Sequence, residues 1–132
     1  MNKQISIDEY IKKYLDPKIK SLPDMTFDDM AKEVVDPPCE YEELIEQKIH
    51  TLTYDEFLQT LYWRVIAAYK RKLSRYRCEL CRSTKELNVH HKNYIIHGVE
   101  HDLEVIEKDL ALLCNKCHQK IHEDEKLHFR NA

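Results

Sequence analysis

The sequence is poor in glycine and proline, with one glycine and four prolines in 132 residues. So little of either argues against a disordered or repetitive chain, and no low-complexity run occurs. It also lacks a long apolar run. The opening stretch MNKQISIDEYIKKYLD is interrupted by charge too often for a signal peptide or a membrane span, which predicts a cytoplasmic protein with no membrane partner. Nor does an excess of positive charge announce a nucleic-acid binder, since the formal net charge is −3. What remains, 42% hydrophobic and 34% charged residues, is the composition of a soluble globular chain. Its length allows one domain, or a small domain with an extension, around a modest core.

The average charge hides an asymmetry. Residues 1–50 carry a net charge of −5 and residues 51–132 a net charge of +2. Between Arg64 and Lys92, nine Lys and Arg stand against only Glu79 and Glu86. Lys70, Arg71, Lys72, Arg75, Arg77 and Lys92 of this stripe are candidate phosphate contacts. A solvated helix face is the plainer account of such a run.

Chemistry concentrates between Cys78 and His122, which hold four of the five cysteines and six of the eight histidines. Cys78-x-x-Cys81 and Cys114-x-x-Cys117 bring four thiols within reach of one tetrahedral ion, and zinc fits them best. A disulfide framework is the alternative, disfavoured for a chain expected to stay in a reducing compartment. Cys39 is left without a partner and reads as an ordinary, partly buried thiol. Four cysteines close a zinc shell, so the histidines need another role. His118 and His122, spaced i, i+4 in the helical-looking NKCHQKIHEDEK, project from one face. That spacing suits a second metal. His90 and His91 end LNVHH, which reads as a strand, where neighbours point to opposite faces unless a bulge or the strand's end intervenes.

The rest of the chain reads as amphipathic helices. Ser6 with Glu9 caps an apolar face of Ile7, Tyr10, Ile11, Tyr14 and Leu15. Thr26 with Asp29 caps Phe27, Met30, Ala31, Val34 and Val35, and Pro37-Pro38 ends that run. Tyr41, Leu44, Ile45 and Ile49 suggest a third helix. These faces are expected to pack on the remainder of the chain, the other occupants being a second copy or a partner protein. Thr53 with Glu56 opens one long helix over residues 54–74, with Trp63 beside its apolar stripe. The organisation expected is an acidic helical extension at 1–50 and a second unit at 51–132.

VHHKNYIIHGVE followed by DLALLCNKCHQKIH resembles the HNH endonucleases, in the branch with two zinc knuckles. YDEFLQTLYW and RYRCELC extend the likeness upstream to about Tyr54. The resemblance implies an α+β fold: a ββα-metal core at 78–124 with a structural zinc site, preceded by amphipathic helices. It implies that His91 is the general base, that His90, His118 and His122 ligate one catalytic divalent ion, and that Cys78, Cys81, Cys114 and Cys117 hold the zinc. Asp109 stands where the family name has its Asn; it can accept the bond that orients the hairpin and His91 but cannot donate one. The spacer from Glu100 to Asp109 is long for that branch. The hairpin strands are expected at Leu87–His91 and Leu110–Leu113. The loop between them is a candidate DNA contact; its His97, His101, Glu100 and Asp102 are expected to have surface roles, with spare metal ligands as the alternative.

Phosphodiester hydrolysis needs an activated water and a positive centre for the developing charge. An imidazole that is partly neutral near pH 7 can be the base. Three imidazoles favour Mn, Ni, Co or Zn over the oxygen-seeking Mg, although Mg stays among the candidate ions. The expected activity is metal-dependent DNA cleavage, nicking or double-stranded, leaving 5'-phosphate and 3'-hydroxyl ends. RNA is the other candidate substrate. The competing reading is a catalytically silent zinc module that binds nucleic acid or protein.

Overall fold

The computed structural model describes residues 5–19, 21–92 and 97–130, except for the side chains of 122 and 124–130. Its helices are α1 (Ile7–Tyr14), α2 (Phe27–Val34), α3 (Glu42–His50), α4 (Tyr54–Gln59), α5 (Leu61–Leu73), α6 (Leu103–Lys108) and α7 (Asn115–Arg130). A single 3-10 turn, Cys39–Tyr41, leads into α3. Among the described residues the strands are β1 (Leu87–His91) and β2 (Leu110–Cys114). The fold is α+β, and β1, β2 and α7 form its ββα unit.

The caps read from the sequence operate as hydrogen bonds. Ser6 Oγ accepts from Glu9 N at 3.2 Å and Thr26 Oγ1 from Asp29 N at 3.1 Å. Thr53 and Glu56 complete a reciprocal capping box. One expectation fails here: residues 54–74 form two helices. Thr60 is extended (φ −68°, ψ 150°), and its hydroxyl donates to Phe57 O at 2.7 Å while accepting from Trp63 N at 3.1 Å. One side chain therefore ends α4 and starts α5. The apolar spacing runs unbroken across it, which is why periodicity alone hides the break.

The three acidic-region helices pack into the same core as the rest. Tyr10, Tyr14, Val34, Ile45 and Ile49 are wholly buried against Phe57, Leu61, Tyr62 and Ile66, and the cluster reaches Ile106 and Leu110. Full burial of each such side chain contributes about 1.5–3 kcal/mol. Polar bonds fix the angle of the packing. Tyr10 donates its hydroxyl to Val34 O at 3.0 Å, Asp36 N donates to His101 O at 2.9 Å, and Leu103 N donates to Asp36 Oδ1 at 3.1 Å.

The hairpin is a layer between two packings. β1 and β2 pair antiparallel, Leu87 opposite Cys114 and His91 opposite Leu110. Val89 and Leu110 turn towards α5 and the large core. Ala111 and Leu113, on the other face, close a small cluster with Cys78, Cys114 and Ile121 of α7. β2 is one residue longer than expected, and the long spacer before it is largely α6, capped by Asp102 on Glu104 N and Val105 N. The expected surface roles in this loop are overturned for two residues, because Glu100 and His101 are buried. Cys39, expected to be partly buried, is exposed.

Replacing Thr60 by Ala is expected to lower the unfolding free energy by about 1–2 kcal/mol, since it removes an N-cap and leaves a buried N–H unpaired. Urea denaturation of Thr60→Ala against wild type measures this; equal midpoints would mean that the break rests on something else.

Candidate functional site

The four thiols come together as their spacing predicts. All four sulfurs lie within 4.8 Å of one another, and Cys81 Sγ is 3.5 Å from Cys114 Sγ. A disulfide would need about 2.05 Å. Sulfurs around one tetrahedral zinc, each about 2.3 Å from it, stand about 3.8 Å apart, so the donor set fits that ion. The first knuckle is a tight turn: Cys78 N donates to Ser83 O at 2.8 Å, Arg82 N donates to Cys78 O at 3.0 Å, and Arg82 has φ 68°. Burial would raise the Cys78 thiol, but N–H groups of Cys81, Cys114 and Leu80 outweigh it and hold the pKa at about 6, while the neighbouring sulfurs push Cys117 up to about 12. Glu79 clasps the knuckle to the hairpin. Its N donates to Leu112 O at 2.9 Å, and its carboxylate accepts from Leu112 N.

His90 and His91 follow strand alternation with no bulge, so they face different partners. His90 turns to the α7 side, where its Nδ1 lies 3.1 Å from Nε2 of His118 and the rings meet edge to face at 4.9 Å. Two nitrogens on one tetrahedral ion at 2.0–2.1 Å stand about 3.3 Å apart, so this pair fits a shared metal. His122 lies one turn further along α7, its side chain outside the described residues. Beside His90 opens a cleft of about 220 Å³, lined also by Lys92, Glu79 and Ile121.

His91 turns to the α5 side and is 3% exposed. Trp63 stacks on it at 4.9 Å with 19° between the ring planes, and Nε2 lies 3.1 Å from Oε2 of Glu100. The same oxygen is 2.9 Å from His97 Nδ1, and Gly98 N donates to Oε1 at 2.6 Å. Burial would raise the Glu100 carboxyl; the donors His91, His97 and Gly98 overcome it and hold the pKa down to about 2. His91, His97 and Glu100 also form a second group with ligand atoms within 4.8 Å of one another.

Asp109 acts on the hairpin through its backbone: it ends α6, and its carbonyl accepts from Lys92 N at 2.8 Å, one residue beyond His91. The basic stripe divides. Lys72, Arg75, Arg77 and Lys92 are exposed and Arg71 is half-buried. Lys70, expected among the phosphate contacts, is instead 4% exposed, donating to Glu107 O at 3.2 Å and paired with Glu79 at 3.7 Å. Burial lowers its pKa, and its amine faces Glu107 O and Glu79 and not solvent. Sequence reasoning preferred surface roles for His97 and Glu100, with spare ligands as the alternative, and did not bring them or Trp63 to His91. The available signal was Glu100, acidic and three residues from a histidine, in a loop expected to be solvated.

Residues 78–124 match the family model of the HNH endonucleases. The resemblance carried by the motifs therefore holds over that segment, and a domain of this kind points to nuclease-type activity in general. No curated protein and no solved structure matches the chain.

Glu100 links the site to stability. Its folded pKa of about 2 lies below the ordinary 4.5, so its contribution is complete above about pH 4.5 and is lost as the pH falls towards 2. Denaturation midpoints of wild type and Glu100→Gln across that range are expected to converge as the pH falls; a constant gap would mean that the carboxylate's charge does not stabilise the fold.

Proposed function

We propose that the chain is a metal-dependent HNH-type DNA endonuclease, with His91 as general base. The observation that carries this reading is the meeting of His90 with His118, a nitrogen pair at metal-sharing distance, on a strand and helix that also present a four-thiol site. A silent scaffold needs the thiols but has no use for the imidazole pair. His90, His118 and His122 would hold the catalytic ion, and Cys78, Cys81, Cys114 and Cys117 the structural zinc. The divalent ion, when bound, supplies a Lewis acid for the scissile phosphate and the departing 3'-oxygen.

The chain's own residues supply the rest. His91 accepts a proton from the attacking water, whose oxygen forms the new bond to phosphorus as the bond to the 3'-oxygen breaks. The products are a 5'-phosphate and a 3'-hydroxyl. Asp109 keeps the strand end in register through its carbonyl. Arg71, Lys72, Arg75, Arg77 and Lys92 hold the backbone of the nucleic acid by charge, without reading sequence. Lys70 drops out of that set because it is buried. Work in the cytoplasm fits thiols that must stay reduced.

A second reading has one observation in its favour. His91 is almost wholly buried under Trp63, as it would be in a module that binds nucleic acid and does not cut. Cleavage of supercoiled plasmid by wild type and His91→Ala in Mn, Ni, Mg and EDTA separates the two. Wild type is expected to cut, with Mn or Ni at least as effective as Mg, while EDTA and His91→Ala each stop it. Binding by both proteins with cutting by neither would favour the silent module, and a clear preference for Mg would count against a three-histidine metal site.

A further inference from the structure

Among the described residues Glu100 is the only buried carboxylate, with 0% of its surface exposed, and the reaction as written above leaves it without a role. A carboxylate is buried at a cost that only pairing offsets. Here the pairing is complete: Oε2 faces His91 Nε2 at 3.1 Å and His97 Nδ1 at 2.9 Å, and Oε1 accepts from Gly98 N at 2.6 Å. An ionised carboxylate has no proton to donate, so each imidazole must turn an N–H towards it. For a neutral His91 this fixes the proton on Nε2 and the lone pair on Nδ1.

We propose that Glu100 is a positioning residue: it holds the His91 ring through Nε2–H, in the tautomer that an ionised carboxylate requires, and so sets the base of the proposed reaction. The proposal rests on the nuclease reading and names the residue that holds its base. Accepting the proton of the attacking water turns His91 into an imidazolium, which the adjacent carboxylate also stabilises.

The surroundings hold the pair in place. Trp63 fixes the plane of the His91 ring. Gly98 has φ +107°, and a Cβ there would lie 2.8 Å from Glu46 Cγ of α3, so the turn that delivers Glu100 fits tightly under that helix. His50, at the end of α3, bonds His97 O through Nε2 at 2.9 Å and stacks on the His97 ring. The acidic-region helices thereby brace a residue that touches the base. The same three side chains also bring ligand atoms within 4.8 Å of one another, and imidazole nitrogen shifts separate a metal site from a hydrogen-bonded trio.

Two measurements on the zinc-loaded protein test this. Imidazole nitrogen shifts of His91 by NMR are expected to report the Nε2–H tautomer in wild type. A His91 in the Nδ1–H form would overturn the proposal, as would a metal-bound nitrogen signature abolished by His97→Ala, which would make the trio a metal site. With folding checked by circular dichroism and thiol-bound zinc content, Glu100→Gln is expected to lose on the order of 10²-fold in cleavage rate at saturating DNA, with little change in DNA affinity. Equal rates for Glu100→Gln and wild type would also overturn it. A wild type that never cuts would sink the nuclease reading, and the NMR result would still decide whether Glu100 sets the His91 tautomer.

Discussion

Consecutive residues on a strand cannot share a face. His90 and His91 are such neighbours, and their opposite directions divide the candidate site residues in two. His90 goes with α7 to meet His118. His91 goes with α5 to meet Trp63 and Glu100. The hairpin register makes that division definite, since a slip of one residue would send each imidazole to the other's partners. The four-thiol site pins the far end of the hairpin, where Cys114 ends β2, and Glu79 holds the first knuckle against Leu112.

This arrangement gives the amino-terminal helices a physical reason to be there. A two-stranded hairpin with one helix buries little apolar surface and is marginal by itself. Tyr10, Tyr14, Val34, Ile45 and Ile49 supply the missing core. Through Asp36, Glu46 and His50 the same segment also shapes the turn at 97–103. In this fold stability and the setting of His91 come from the same contacts.

Much of this was legible in the sequence wherever chemistry is local. Caps at Ser6, Thr26 and Thr53, the paired CxxC turns, the i, i+4 spacing on α7 and the alternation of LNVHH each follow from a few adjacent residues. What could not be read depended on long-range partners. Thr60 looks like one more position in an apolar helix until its hydroxyl finds both Phe57 O and Trp63 N. Glu100 looks like a loop carboxylate, and only folding brings His91, nine residues away, to its side. Lys70 sits in a basic run by sequence, yet α6 and the knuckle close over it. Charge patterning cannot tell a solvated lysine from a buried one, because the difference is made by elements distant in the chain.

On the proposed function, one hairpin and helix carry two separate metal sites, one of thiolates and one of imidazoles. Native mass spectrometry of the zinc- or nickel-loaded protein, beside His118→Ala, counts the bound ions. Wild type is expected to bind two ions per chain and His118→Ala one. A single ion in both proteins would contradict that reading and leave a zinc scaffold in place of a nuclease centre.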